Sequence, residues 1–239
     1  MNNKTKTPPY SYGYAKRIYK KLKGYEISTE IPEIKDGECL IIRLDGVGMT
    51  ARFKRKNELF ISDFHLAMKL VLENIKNYCP FIKFAYSFKD EISFLVDKEF
   101  IKTNKHYENR IEKILPIISG YVSAIFSQHI SPELKTAPTE PFAFDARAII
   151  LPEDKLKDYF RARQAFAMVG FMDRLYSFYR LSIEKRTFAN VNAALKEKEM
   201  NWYDFPQYVC NGYVGFGEEW KVETASDFSR NWENYNIEL

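Results

Sequence analysis

The sequence predicts an α+β fold in which helices pack on one side of an antiparallel sheet. The observations behind this are apolar runs of strand length, a tight turn where two of those runs meet, and helical periodicity between the others. The predicted order of elements is β-α-β-β-α-β-α, which a sheet covered by helices accommodates. With 239 residues, 46% of them hydrophobic, the chain can bury a substantial core.

The first half of the chain contains three of the predicted strands and a long helix. "ECLIIRLD" (38–45) is a buried strand because its apolar run is short and continuous. Residues 61–79 show helical spacing, with Ser62 or Asp63 available as the N-cap. "IKFAYSFKDEISFLVD" (82–97) is two apolar runs joined around a polar turn, which predicts a hairpin.

The second half adds two helices and a fourth strand. Residues 107–130 have helical periodicity, and Pro116 predicts a kink or break within them. "FAFDARAIILP" (142–152) is a strand, and residues 153–183 form a long amphipathic helix that Gly170 could interrupt.

The domain organisation is predicted to be simple. Residues 1–15 are a flexible tail, and residues 16–239 are a single domain with a C-terminal helical extension. The segment after the tail reads as a helix with a basic face, either an ordinary solvated surface or a contact for RNA or phosphate. Its cations are Lys16, Arg17, Lys20, Lys21 and Lys23.

Composition narrows the class of protein. The net charge of +4 and the pI near 8.7 permit a nucleic-acid or phosphate partner without requiring one. The three cysteines form no CxxC pair, which is typical of a reduced cytoplasmic protein that uses cysteine as a small apolar residue. No signal peptide and no apolar run of about 18 residues is present, so we expect a soluble protein without a membrane partner.

Two carboxylates suggest chemistry at one edge of the predicted sheet. Asp45 ends a buried strand before Gly46, and Asp90 lies with Glu91 where two apolar runs join. If these strands are neighbours, the carboxylates repel unless a cation lies between them, and Mg²⁺ prefers such oxygen ligands. Backbone around Gly46 and Gly48 could approach a triphosphate closely, because glycine has no Cβ. Two metal ions there would suit phosphoryl or nucleotidyl transfer.

Interpretations of these residues without a catalytic role also stay open at this point. A strand-end Asp-Gly is more often only a turn, and "KDE" is commonly a solvated hairpin tip. Other chemistries have less support, because the three histidines are far apart in sequence and "GVG" is too short for a dinucleotide fingerprint.

Several motifs together resemble a known family. "KGYE" (23–26), "RLDG" (43–46), "SFKDEISFLV" (87–96), "FDARAIILP" (144–152) and "DYFRARQ" (158–164) occur in the order, and at close to the spacing, of the tRNA-histidine guanylyltransferase superfamily. The resemblance covers roughly residues 20 to 215. Within the superfamily, the later motifs are more similar to the Thg1-like proteins, the bacterial and archaeal tRNA-repair branch.

The resemblance implies a palm-like catalytic domain of the polymerase and cyclase type. In it, Asp45, Asp90 and the Gly46 carbonyl would hold two Mg²⁺ ions, with Glu91 as a further catalytic residue of lesser role. ATP or GTP would be substrates, and nucleotides would be added to the 5′ end of tRNA by a homodimer or homotetramer. The residues expected at the nucleotide are Arg43, Gly46, Val47, Gly48 and Arg147.

The chain also departs from the family pattern. Lys89 replaces a serine, Phe60 replaces a phosphate-contacting lysine, and a mostly apolar stretch (165–173) replaces polar residues that handle nucleotide and 5′ phosphate. Where the family has a basic "RKG" motif, this chain has "CNG" (210–212), which contains no basic residue. We therefore expect substitute RNA contacts from the basic residues after the metal-binding loop and from the N-terminal basic helix; those after the loop are Arg52, Lys54, Arg55 and Lys56.

Two other functions stay open beside the 5′ nucleotidyltransferase. One is a palm-domain nucleotide cyclase or signalling-nucleotide synthase, and the other is a catalytically weak relative that binds RNA or nucleotide.

Overall fold

A six-stranded antiparallel sheet, with strand order β4-β1-β3-β2-β5-β6, forms the centre of the computed structural model. Its strands are β1 (Glu38–Gly46), β2 (Ile82–Phe88), β3 (Glu91–Val96), β4 (Phe144–Pro152), β5 (Tyr213–Phe216) and β6 (Lys221–Thr224). The structure describes residues 34–49, 53, 59, 61–107, 110–134, 141–184 and 187–237.

Long helices occur after β1, after β3 and after β4, while β2 and β3 follow each other directly and the other described helices are short. The helices are α1 (Ser62–Tyr78), α2 (Lys98–Thr103), α3 (Ile111–His129), α4 (Leu156–Tyr179), α5 (Phe188–Lys196), α6 (Gln207–Asn211) and α7 (Phe228–Asn231). The predicted α+β fold with an antiparallel sheet is confirmed.

Helices cover both faces of the sheet rather than one. Ile41 and Phe84 point to the face where Phe160 of α4 and Phe228 of α7 join the same buried cluster. Leu40 is also fully buried but points to the opposite face, since successive side chains alternate along a strand. There α1 packs on β2, and α3 packs on β4.

Three local expectations are corrected by the structure. Helix α1 has Ile61 as its N-cap with no side-chain hydrogen bond, so neither Ser62 nor Asp63 is the cap; Asp63 lies in the first turn, where its charge faces the positive end of the helix dipole. Helix α3 runs from Ile111 to His129 without a break at Pro116, and the kink stays a prediction. Helix α4 is continuous through Gly170.

The C-terminal segment is not purely helical. Besides α6 and α7 it contains β5 and β6, which extend the sheet beside β2. Each strand has four residues, too few for an alternating pattern to stand out in the sequence. By internal contacts the chain divides into Met1–Pro32 and Glu33–Leu239, and the described residues all belong to the second unit.

The cysteines lie where small apolar side chains are expected. Cys39, Cys79 and Cys210 are free and buried, as expected of small apolar residues. Among the described residues, no helix combines the length and apolarity needed to cross a bilayer.

Candidate active site

Strand register brings the predicted carboxylates to one end of the sheet. Asp45 of β1 lies opposite Glu91 of β3 and opposite Asp145 of β4, so three carboxylates stand abreast on the face covered by α4. The backbone amide of Gly46 donates to the Asp90 carbonyl at 2.9 Å, which fixes the β2–β3 turn against the end of β1. The structure therefore brings Asp45, Gly46, Asp90 and Glu91 together.

Two of the carboxylates in this row are neutralised by arginines. Arg163 of α4 donates from Nε to Glu91 Oε1 at 2.6 Å and makes a second bond from Nη2 to Oε2. Arg147 Nη2 lies 3.1 Å from Asp145 Oδ2. Within the described residues Asp45 and Asp90 make no such pair, which leaves their negative charge available to a cation.

The pKa of Asp90 shows that its environment disfavours the charged carboxylate. Burial raises the pKa of Asp90 above its usual range, and the charge of Asp45 raises it further, against the opposing effects of Asp90's own backbone amide and of Lys89. Mutual repulsion of this kind is what a divalent cation between two carboxylates relieves.

Glu91 is more than a hairpin-tip charge. Both Glu91 and Arg163 are about one-fifth exposed, and their two hydrogen bonds tie the start of β3 to α4. Burial raises the pKa of Glu91, while Arg163 acts in the opposite direction. Beside them, the Tyr159 hydroxyl and Ser93 Oγ lie 3.0 Å apart and join the same helix to the same strand.

The loop after β1 turns sharply away from the sheet. Gly48 has φ +69°, a left-handed conformation that favours glycine, and Val47 is more than half exposed. Gly46 packs directly on the buried Met49 side chain, so a Cβ at position 46 has no room. The Val47 amide donates to the Ala143 carbonyl at 2.8 Å, so the amides of Gly46 and Val47 are already used within the fold.

Two arginines flank the row of carboxylates. Arg43 and Arg147 lie opposite each other across the β1–β4 ladder, one pleat back from Asp45 and Asp145. Arg43 is half-buried, and Arg147 is exposed. Both predicted nucleotide-binding arginines therefore lie on the same face as the carboxylates.

A cavity of about 330 Å³ opens beside Asp90, between the start of α1 and the middle of α4. Its walls are mostly apolar, with Lys89, Arg174 and His65 as the cationic or titratable exceptions apart from Asp90. Burial, together with the nearby charges of Lys89 and Arg174, lowers the pKa of His65 to about 4. The neutral imidazole also contacts the Tyr208 ring at 5.4 Å between centroids.

Lys89 reaches this cavity from an unusual backbone position. It has φ +50° in the turn between β2 and β3, so the residue is exposed while its amine turns back toward α4. There the neighbouring groups exclude enough water that burial lowers the pKa of the amine. The amine lies 5.3 Å from the Phe88 ring centroid.

Comparison with known proteins identifies the family. The family model described as Thg1, tRNAHis guanylyltransferase, matches residues 19–152, more than half of the chain. The chain belongs to the tRNAHis guanylyltransferase family.

Solved structures of similar fold agree with the membership. A bacterial Thg1-like protein in complex with ATP has a TM-score of 0.75 at 23% identity, and the alignment covers 95% of this chain and 100% of that one. A bacterial Thg1-like protein in complex with GTP has a TM-score of 0.66 at 22% identity, with the same coverage. The tRNA(His) guanylyltransferase of Saccharomyces cerevisiae gives 0.65 at 17% identity, over 90% of this chain and 97% of that one.

A sequence relative is the tRNA(His) guanylyltransferase 1 of Arabidopsis thaliana. It is 28% identical over 118 residues, which are 45% of this chain. The chain spans 18% of the length of this relative.

Sequence reasoning missed several residues of this tRNAHis guanylyltransferase family site. Arg163 and Tyr159 fall within the quoted motif "DYFRARQ", but nothing in that motif indicates that they reach Glu91 and Ser93. Lys89 stands out in the sequence only as a departure from the family pattern. The predicted RNA-binding residues Lys54, Arg55 and Lys56 lie outside the described residues, as does the N-terminal basic helix.

Proposed function

We propose that the chain is a magnesium-dependent nucleotidyltransferase that adds nucleotides to the 5′ end of tRNA or a related RNA, in the 3′-to-5′ direction. The supporting observation is the convergence of Asp45 and Asp90, without a protein cation to pair them in the described residues, in a member of the tRNAHis guanylyltransferase family.

The donor set fits Mg²⁺. The Asp45 and Asp90 carboxylates and the Gly46 carbonyl are all oxygen ligands, and substrate phosphates and water usually complete such a site. When bound, two Mg²⁺ ions stabilise negative charge on the attacking and leaving oxygens of the phosphoryl transfer. Among the described residues, no three His, Cys, Asp or Glu side chains are grouped as metal ligands, and in the proposed site substrate oxygens complete the coordination.

The protein groups around the carboxylates act by position and charge. The Arg163–Glu91 pair holds the start of β3, and hence the preceding Asp90, against α4. Arg43 and Arg147 contribute to the reaction by charge and by position, because a guanidinium offers a planar fork of N–H donors to phosphate oxygens. They are suited to the phosphates of ATP or GTP.

The names of the relatives support the proposed substrate and partner. Two of the similar structures are complexes with ATP and with GTP, and two relatives carry tRNA(His) guanylyltransferase in their names. We extend nucleoside triphosphates and a tRNA 5′ end to this chain, with Lys54, Arg55 and Lys56 as RNA contacts. A cytoplasmic homodimer or homotetramer, repairing tRNA 5′ ends as the Thg1-like branch does, is part of the same proposal.

The test uses α-labelled nucleoside triphosphate, Mg²⁺ and a 5′-truncated tRNA, beside a reaction without RNA and one with a chelator. We expect label in the RNA that nuclease digestion maps to the new 5′ end, and none in either control. A small labelled nucleotide formed without RNA would favour the cyclase or signalling-nucleotide synthase instead. No product, with RNA binding retained, would indicate a binding protein.

A further inference from the structure

Lys89 reaches the cavity because α4 makes room for it. A Cβ built on Gly170 would lie 3.3 Å from Lys89 Cε and 2.5 Å from its Nζ, and the second distance is closer than real side chains approach. Gly170 is inside a helix, where glycine is less favourable than alanine by roughly 1 kcal/mol. Its φ is not positive, so the backbone does not require glycine there. A Cβ at position 170 would instead displace the Lys89 amine, the flexible end of that side chain, from its place beside α4.

The Lys89 amine is accessible to an anionic ligand. It borders a largely apolar cavity together with Asp90 and Arg174. Within the described residues the Lys89 ammonium makes no hydrogen bond and no ion pair, although the charges of Asp90 and Asp173 act on it from nearby. A lysine ammonium in partly desolvated surroundings binds phosphate as a compact point charge.

We propose that Lys89 binds a phosphate of the nucleoside triphosphate, and that Gly170 is the positioning residue that lets its amine reach it. The inference rests on the proposed function, because it takes the triphosphate substrate from there. It explains why a lysine with a left-handed backbone stands directly before a predicted metal ligand, and why the long helix beside it carries a glycine at its centre.

Binding measurements on four variants test the assignment. We would titrate ATP and AMP into the parent, Lys89→Met, Gly170→Ala and Lys89→Met/Gly170→Ala in Mg²⁺-containing buffer, and record melting temperatures. Gly120→Ala is the matched control, because Gly120 lies in helix α3 with nothing within 4 Å of a built Cβ.

The expected pattern is specific to the triphosphate. Removing a charge-assisted hydrogen bond weakens ATP binding by roughly ten- to hundredfold in Lys89→Met, with AMP changed far less and the melting temperature preserved. Gly170→Ala gives a similar reduction in ATP affinity, and the double variant binds ATP little more weakly than either single one. Gly120→Ala binds ATP as the parent does. If AMP binding is too weak to measure in every variant, the weakening of ATP binding at unchanged melting temperature decides.

The contrary outcomes separate the two proposals. If the parent binds no ATP, the proposed function fails, and this inference fails with it. Suppose that the parent binds ATP. If Lys89→Met then binds ATP equally well, or if its affinity for AMP falls as much as its affinity for ATP, only the Lys89 assignment is overturned. Parental binding by Gly170→Ala beside a weakened Lys89→Met would remove Gly170 from the account.

Discussion

The Glu91–Arg163 pair should carry a measurable share of the stability of the sheet end. Glu91→Gln keeps the size of the side chain and removes its charge, leaving the Arg163 guanidinium with one weak acceptor in a site that is about one-fifth exposed. Hydrogen bonds between charged groups contribute roughly 1.5–3 kcal/mol, and breaking a fully buried pair costs about 3–5 kcal/mol. Because this pair is not fully buried, we expect a loss of about 2 kcal/mol in the free energy of unfolding.

Denaturant unfolding of a double-mutant cycle measures this loss. The cycle combines Glu91→Gln, Arg163→Met and the double variant, and we expect a coupling energy of roughly 1–2 kcal/mol. The matched control is Glu73→Gln, whose partner Lys69 lies 3.0 Å away on the surface of α1. Exposed pairs of that spacing contribute only about 0.3–0.5 kcal/mol. A Glu91→Gln loss no larger than that of Glu73→Gln, with no coupling to position 163, would refute the reasoning.

Three further predictions concern pH, phosphate and salt. His65 is neutral in the fold because burial lowers its pKa from 6.5 to about 4, so the parent should lose up to roughly 3 kcal/mol of stability as pH falls through that range. His65→Gln should lose less, and parallel stability–pH curves would contradict this. Arg147→Lys keeps the charge but loses the bidentate fork, so it should raise the apparent KM for triphosphate; unchanged kinetics and unchanged melting would remove Arg147 from the site. Reversing the charge of Arg55 and Lys56 together should weaken RNA binding and flatten its salt dependence, by about 0.7–0.9 in log–log slope for each RNA phosphate that is no longer neutralised. If the salt dependence of RNA affinity is the same for the parent and the double variant, Arg55 and Lys56 are solvated surface residues that do not contact RNA.

The sequence predicts the centre of this fold better than its edges. The run Leu40-Ile41-Ile42 identifies β1 because a central strand buried on both faces reads as continuously apolar. The strands β5 and β6 are not predicted because four residues give no pattern, and the pairing of β5 with β2 depends on contacts distant in the chain. The expectation of helices on one side only is wrong although the continuous run in β1 already indicates cover on both faces.

Some residues of the candidate site could be predicted from the sequence, and others could not. Asp45 and Asp90 could be predicted because each ends or follows an apolar run, and adjacent strands place them together. The Arg163–Glu91 pair joins residues 72 positions apart, and the fit of Lys89 against Gly170 depends on where α4 crosses the hairpin. Local pattern contains no information about such tertiary contacts.

The most direct test of the central claim is the turnover of Asp45→Asn and Asp90→Asn in the RNA extension assay. Loss of a metal ligand removes transition-state stabilisation worth several kcal/mol, so we expect at least a roughly hundredfold loss of rate with unfolding curves close to those of the parent. Asp154→Asn is the control, because Asp154 follows β4 at the opposite end of the sheet and is exposed. We expect it to keep the parental rate. Either Asp45→Asn or Asp90→Asn retaining activity within about threefold of the parent would contradict the account.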